Sequence, residues 1–222
     1  MREYILEKVN STPKFINLNG VDVEINDELP DNFNVRAIFK TIEKRIPSHF
    51  FTNLNKIKIE NDEEFRERDI NALYRNNEFI ISPKQKNEND LIDDIVHEFA
   101  HHVETLFTEE IYSDEKIKNE FIRKRQEMKF EIQSEGYWVG DYDFDQLKFD
   151  ERFDTFLYSR LGPNMLRMVT TGIFIRPYAS VSLREYFATG FEAYYLGKQS
   201  TLEKISPMLF DKIDELNNKN QH

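Results

Sequence analysis

The sequence predicts an α+β domain, and three observations carry the prediction. In the N-terminal half, apolar and polar positions alternate around two turn dipeptides, Asn19-Gly20 and Asn76-Asn77. Beyond Thr108 the apolar residues recur mostly at helical spacing instead. The chain's 222 residues, 39% of them hydrophobic, suffice for one globular domain with its own core, or one domain with two lobes.

Taken in order, residues 14–25 read as a β-hairpin. Phe15-Ile16-Asn17-Leu18 and Val21-Asp22-Val23-Glu24-Ile25 flank an Asn-Gly dipeptide that accepts the positive φ angles of a primed turn. Pro30 closes this section. Val35, Phe39, Ile42 and Ile46 mark a helix that Pro47 stops. Ile57-Lys58-Ile59 reads as a strand, and 72–74 with 79–81 as a second hairpin, ended by Pro83. A longer helix is expected over 88–107, with Asn87 as its cap and Glu88, Asp90, Asp93 and Asp94 near the positive end of its dipole. Next come a charged amphipathic helix over 113–132 and an aromatic, acidic segment over 137–154. A helix over 153–160 follows, which Leu161-Gly162-Pro163 breaks. Residues 165–175 are mostly apolar, and Pro177 breaks the chain again. The last clear helix covers 183–196, with Ser182 as cap and Gly197 as stop. The Asn/Lys/Gln-rich end after Leu216 reads as a frayed tail, and no internal repeat is present.

Composition narrows the function classes. With 30 Lys+Arg against 41 Asp+Glu, the formal net charge is −11, a field that disfavours nucleic acid and anionic membranes as partners. Basic substrates suit it better. The absence of Cys removes disulfides, Cys-ligated zinc, iron–sulfur clusters and thiol nucleophiles, so a metal must be held by His and carboxylate. Met1-Arg2-Glu3-Tyr4-Ile5-Leu6-Glu7-Lys8 places acids where a signal peptide carries its apolar stretch, and no segment approaches about 18 unbroken apolar residues. A cytoplasmic protein without a membrane partner is the expectation.

His97-Glu98-Phe99-Ala100-His101-His102 contains the pattern His-Glu-x-x-His. Residues four apart on a helix lie one turn above each other, so the imidazoles of His97 and His101 converge on one point and can both ligate zinc. Glu98 projects beside that point, placed to take a proton from a metal-activated water rather than to bind the metal. Ile92, Ile95, Val96, Phe99, Val103 and Leu106 form an apolar stripe with His97 and His101 on the opposite side, where core histidines would not sit. Asp94 and Glu104 share the histidine face. Each either accepts the second imidazole N–H of a ligand or is a solvated surface acid. His102 points away from the pair.

Catalytic zinc needs a third protein ligand and an open fourth position. With no Cys, and the remaining histidines at His49 and His222, a carboxylate is expected, and Glu185 is the first candidate. Ser182-Leu183-Arg184-Glu185 is also a capping box, so ligand and cap both stay open for Glu185, with Glu192 as the alternative ligand. The small residues Ala188 and Gly190 let this helix approach another closely.

Glu185-Tyr186-Phe187-Ala188-Thr189-Gly190-Phe191 resembles the third-ligand helix of the anthrax lethal factor-like zinc peptidases, to which the bacterial Pro-Pro endopeptidases are similar. Tyr178 stands seven residues before Glu185, where that family has a tyrosine assisting the zinc-bound intermediate. The resemblance implies a zincin-like, gluzincin-type fold: a small mixed-sheet upper lobe on the active-site helix, about 1–107, and a helical lower lobe, 108–222. It implies Zn2+ held by His97, His101 and Glu185, Glu98 as general base and Tyr178 as electrophilic helper in a zinc-dependent endopeptidase. Thr189 departs from a position often acidic in the family. The span 185 − 101 = 84 residues from His101 to Glu185 is also long for it, so 109–166 reads as an inserted helical region. Regulatory metallopeptidases that cleave phage or stress repressors are the second resemblance, sharing His-Glu-x-x-His and a downstream acidic ligand. A reading from another class is a non-catalytic, zinc-stabilised binding or effector-like protein, which would not require Glu98.

The expected partner is a protein or peptide substrate, in the cleft between lobes and extended against an edge strand such as 78–82. Asp141-Tyr142-Asp143-Phe144-Asp145 spaces its acids like a calcium loop, but Gln146 and Arg152 stand where that loop needs Gly and Glu. It reads as a solvated loop whose aromatics Tyr137, Trp138, Tyr142, Phe144 and Phe149 pack onto the lobe. Lys116, Lys118, Arg123, Lys124, Arg125 and Lys129, interleaved with Glu115, Glu120 and Glu127, read as a solvated helical face.

Overall fold

A computed structural model of the protein describes residues 15–67 and 70–219; the opening residues, Lys14 of the expected hairpin and His222 lie outside them. The described fold is α+β and divides into two compact units, one running to Glu98 and the other starting at Phe99.

The first unit is built on a five-stranded mixed sheet. β1 (Phe15–Leu18) and β2 (Val21–Ile25) form the expected antiparallel hairpin. Asn19 and Gly20 both take positive φ, 49° and 90°, the primed-turn geometry that Asn-Gly supplies at the least steric cost. α1 (Val35–Arg45) starts where Asn34 accepts a hydrogen bond from the Ala37 N–H. β3 (Lys56–Ile59), a short α2 (Glu64–Glu67), β4 (Ala72–Arg75) and β5 (Glu78–Ile81) follow. The strand order is β1-β2-β3-β5-β4, with β3 parallel to both β2 and β5. Val21, Val23 and Ile25 are buried and Asp22 is exposed, the alternation of a strand with one covered face. Phe79, Ile80 and Ile81 are all buried, so β5 is covered on both faces.

That order corrects the expected substrate edge. β5 lies between β3 and β4, and both rows of its backbone groups are already paired. An extended peptide cannot add to it; among the described residues the edges are β1 and β4. The Asn-Asn turn identifies two strands as partners but carries no information about which of them turns inward.

α3 (Glu88–Leu106) carries the His-Glu-x-x-His pattern. Asn87 caps it, accepting from the N–H groups of Asn89 and Asp90. Leu91, Ile95, Val96, Phe99, Ala100 and Val103 are buried, whereas Ile92 and Leu106 are only half-buried. Leu91 and Ala100 flank the predicted stripe on opposite sides of the helix, so the covered face is wider than that stripe.

The second unit is helical apart from an isolated bridge between Thr171 and Phe174. α4 (Thr108–Tyr112) and α5 (Lys116–Ser134) precede a loop, and α6 (Glu151–Thr155) runs into a π-helical stretch, Phe156–Leu161. Gly162, at φ 77°, then interrupts the chain as predicted, and Pro163 sits in the first turn of α7 (Gly162–Thr170). A 3-10 turn (Pro177–Ser180) leads to α8 (Leu183–Tyr195), which Gly197 stops at φ 87°. Two further helices, α9 (Gln199–Ile205) and α10 (Pro207–Asn218), extend past the last one the sequence marks. α10 continues past Leu216 into the expected tail because Leu209, Ile213 and Leu216 face the core. The close approach expected at Gly190 is to α10: a Cβ there would collide with the Leu209 side chain.

α5 overturns the solvated-face reading. Glu120, Lys124 and Arg125 are buried alongside Ile117, Phe121, Met128 and Ile132. The Glu120 carboxylate accepts from the Tyr186 hydroxyl at 2.8 Å and from the N–H groups of Met208 and Leu209, each at 3.2 Å, in the first turn of α10. One turn along α5, Lys124 Nζ donates to the carbonyls of Ile173 and Ile205, each at 2.6 Å; Ile205 ends α9. Burial pulls the Lys124 ammonium down to about 8. Arg125 donates to the carbonyls of Gln146 and Asp143, and its guanidinium carbon lies 4.0 Å from the centre of the Phe153 ring. Phe144 is buried in the same loop, whereas Trp138 and Phe149 remain exposed rather than packed.

Candidate metal centre

The three sequence-predicted ligands come together. One ring nitrogen each of His97 and His101 and one carboxylate oxygen of Glu185 lie within 4.8 Å of one another. His97 and His101 stand a turn apart on α3, and Glu185 is in the first turn of α8. Zinc–ligand bonds of about 2.0–2.2 Å set tetrahedral ligand atoms about 3.3–3.6 Å apart. His101 Nε2 is 3.6 Å from Glu185 Oε1, which meets that spacing. Two imidazoles and a carboxylate, with no thiolate, are a donor set suited to zinc and other borderline divalent ions.

A capping role for the Glu185 side chain would turn its carboxylate back to the Ser182 N–H, and the carboxylate lies against His101 instead. The Glu185 backbone N–H donates to Ser182 Oγ at 3.2 Å, so Ser182 caps α8. Glu192, the alternative ligand, is outside the cluster and pairs with the Arg176 guanidinium. That ion pair ties the segment entering the 3-10 turn to α8. Tyr178 sits on this turn with 42% of its surface exposed, between Pro177 and the buried Ala179 and Ser180.

Glu98 is 3% exposed and is not a member of the cluster. His102 is fully buried, and His49 lies on a 3-10 turn (Ser48–Phe51); neither joins the ligand set.

Neither acid on the histidine face is a solvated surface group. Asp94 accepts from Gln85 Nε2 at 2.9 Å; burial holds its carboxyl above the usual range, against the Gln85 hydrogen bond and the charge of His97. Glu104 Oε1 accepts from the Tyr112 hydroxyl at 2.6 Å. Burial raises the Glu104 carboxyl too, opposed by Tyr112 and by the Arg184 charge. Tyr112 is itself pushed well above an ordinary phenol, by burial first and then by Glu104. Arg184 Nε donates to His101 Nδ1 at 3.0 Å and lies 3.6 Å from Glu104 Oε2. Sequence reasoning missed Arg184 and Tyr112. Arg184 adjoins a ligand and could have been flagged on that ground, whereas Tyr112 belongs to a separate helix from Glu104 and shares no periodic signal with it.

No family model, curated protein or solved structure matches the chain, so the chemistry of these residues carries the functional reading. No helix among the described residues is long and apolar enough to cross a membrane.

Proposed function

We propose that the protein is a zinc-dependent endopeptidase of zincin-like architecture, acting in the cytoplasm on protein or peptide substrates, with Zn2+ held by His97, His101 and Glu185. The observation that carries this reading is the convergence of two imidazoles and one carboxylate, with a further buried carboxylate, Glu98, next to His97 in sequence and outside the ligand set. A metal that served only as a staple would not require that fourth group.

When bound, zinc polarises a scissile carbonyl and acidifies water. Glu98 is the proton carrier: it accepts the proton of the attacking water and delivers it to the leaving amine. Its burial withholds bulk water from the carboxylate, so proton transfer is directed to the reacting groups. Tyr178 donates a hydrogen bond to the developing oxyanion, a role that rests on its spacing from Glu185 and on the family resemblance.

The test is cleavage of a peptide library by the zinc-reconstituted protein, with and without chelator, for wild type and Glu98→Gln. The expected result is chelator-sensitive cleavage that Glu98→Gln lowers by about 10²–10⁴-fold at unchanged zinc content. A zinc-loaded wild type that cuts nothing, or a Glu98→Gln variant with near wild-type turnover, overturns the peptidase reading. In the same assay Tyr178→Phe is expected to lose about 10²–10³ in rate with zinc content intact. Lost thermal stability with normal turnover would make Tyr178 a packing residue instead.

A further inference from the structure

His101 presents its two ring nitrogens to two different carboxylates. Nε2 is 3.6 Å from Glu185 Oε1, on the side where the ligand atoms cluster. Nδ1 is 3.9 Å from Glu104 Oε2 and 3.0 Å from Arg184 Nε. A neutral imidazole that gives one nitrogen's lone pair to a metal carries its proton on the other and needs an acceptor there. Glu104 can accept. Arg184 cannot, because a guanidinium has only donors.

Ligation through Nε2 therefore sets two N–H groups against each other at Nδ1, and the Arg184 to His101 hydrogen bond must break. Glu104 has a carboxylate placed to receive the Nδ1 proton. Its carboxylate is already oriented: Oε1 is taken by the Tyr112 hydroxyl at 2.6 Å, while Oε2 is the oxygen turned towards His101 and Arg184. Closing the 3.9 Å separation to a charge-assisted hydrogen bond of about 2.8 Å asks for roughly 1 Å of side-chain motion. The Glu104 side chain is 15% exposed, so little water competes for the proton, whereas that of Arg184 is 51% exposed and has solvent to move into.

We propose that Glu104 is a positioning residue of the metal centre. It accepts the Nδ1 proton of His101 when Nε2 binds the metal, with Tyr112 fixing its carboxylate and Arg184 as the group that yields. This rests on the metal reading above and adds to it an ordered support for one ligand.

The experiment measures zinc affinity of the full chain by competition with a chromophoric chelator, for wild type, Glu185→Gln, Glu104→Gln, Tyr112→Phe and Arg184→Met. Glu104→Gln is expected to bind zinc about 10–100-fold more weakly. Tyr112→Phe, which removes one hydroxyl and serves as the conservative second variant should Glu104→Gln fold poorly, weakens it less. Arg184→Met binds as tightly as wild type or more so. Nitrogen-15 imidazole spectra of the zinc-loaded protein give a readout that mere packing would not move: His101 as the Nδ1–H tautomer, with proton exchange faster in Glu104→Gln than in wild type. A wild type that binds no zinc overturns the metal centre and this role together. Zinc binding by wild type, lost in Glu185→Gln but within twofold of wild type in both Glu104→Gln and Tyr112→Phe, overturns the positioning role alone.

Discussion

The unit before Phe99 keeps its charged pairs at the surface. Lys56 with Glu24, Lys58 with Glu78, and Arg75 with Asp62 and Glu64 all lie on partly exposed side chains, and Glu98 is the only buried charged residue of that unit among the described residues. The unit after it takes charges inside: Glu120, Lys124, Arg125, Glu192 and Lys212 are all buried. Backbone accounting explains the difference. Strands β2, β3 and β5 satisfy one another's N–H and C=O groups, so an apolar core is enough. Helices that begin or end inside a core strand four backbone groups at each terminus. Glu120 serves the start of α10, Lys124 the end of α9, and Arg125 the carbonyls of the loop before α6. Buried charge at Glu120, Lys124 and Arg125 is thus the counterpart of the ladder in the sheet unit, whereas Glu192 and Lys212 pair with the side chains of Arg176, Asp114 and Glu215.

Arg125→Met tests this most severely. It keeps the apolar stem and strips two carbonyls of their donor at about 1–3 kcal/mol each, so a loss of about 2–6 kcal/mol is expected in urea denaturation. A near-neutral result would mean that the loop carbonyls are served by water, and the comparison would fail. Gly190→Ala comes next, because its new methyl meets Leu209; overpacking costs about 1–3 kcal/mol and the helix propensity gained returns about 1 kcal/mol, so a net loss of up to about 2 kcal/mol is expected, read as a lower denaturation midpoint. An unchanged midpoint would show that α10 can shift away from α8. Lys58→Ala is the smallest, expected within about 1 kcal/mol because its pair with Glu78 is partly exposed. A larger loss would show that the sheet unit also depends on its charges.

Legibility in the sequence follows the same division. Asn19-Gly20 and Asn76-Asn77 are local signals, and the hairpins they predict form. The caps at Asn87 and Ser182 and the stop at Gly197 are equally local, and they hold. The burial of Lys124 and Arg125 was not legible, because a charge enters a core only when distant carbonyls wait for it, here those of Ile173, Ile205, Asp143 and Gln146. The wider covered face of α3 has a related cause. Periodicity locates an apolar stripe, but a helix covered on most sides can bury Leu91 and Ala100 as readily as Ile92.

By itself the sequence determined that His97 and His101 stand one turn apart on a helix and that any third ligand must be His or a carboxylate; helical pitch and composition require both. It also determined the mixed composition of helix and strand, because period-2 and period-3.6 patterns are properties of neighbouring residues. Tertiary structure alone decided that the Glu185 carboxylate meets His101 while its N–H meets the cap, that Glu192 goes to Arg176, that β5 turns inward, and that Glu104, Tyr112 and Arg184 gather at Nδ1 of His101. Each of these depends on which partner is brought from far along the chain, and a side chain with several satisfiable partners is assigned to one only when packing has chosen its neighbours.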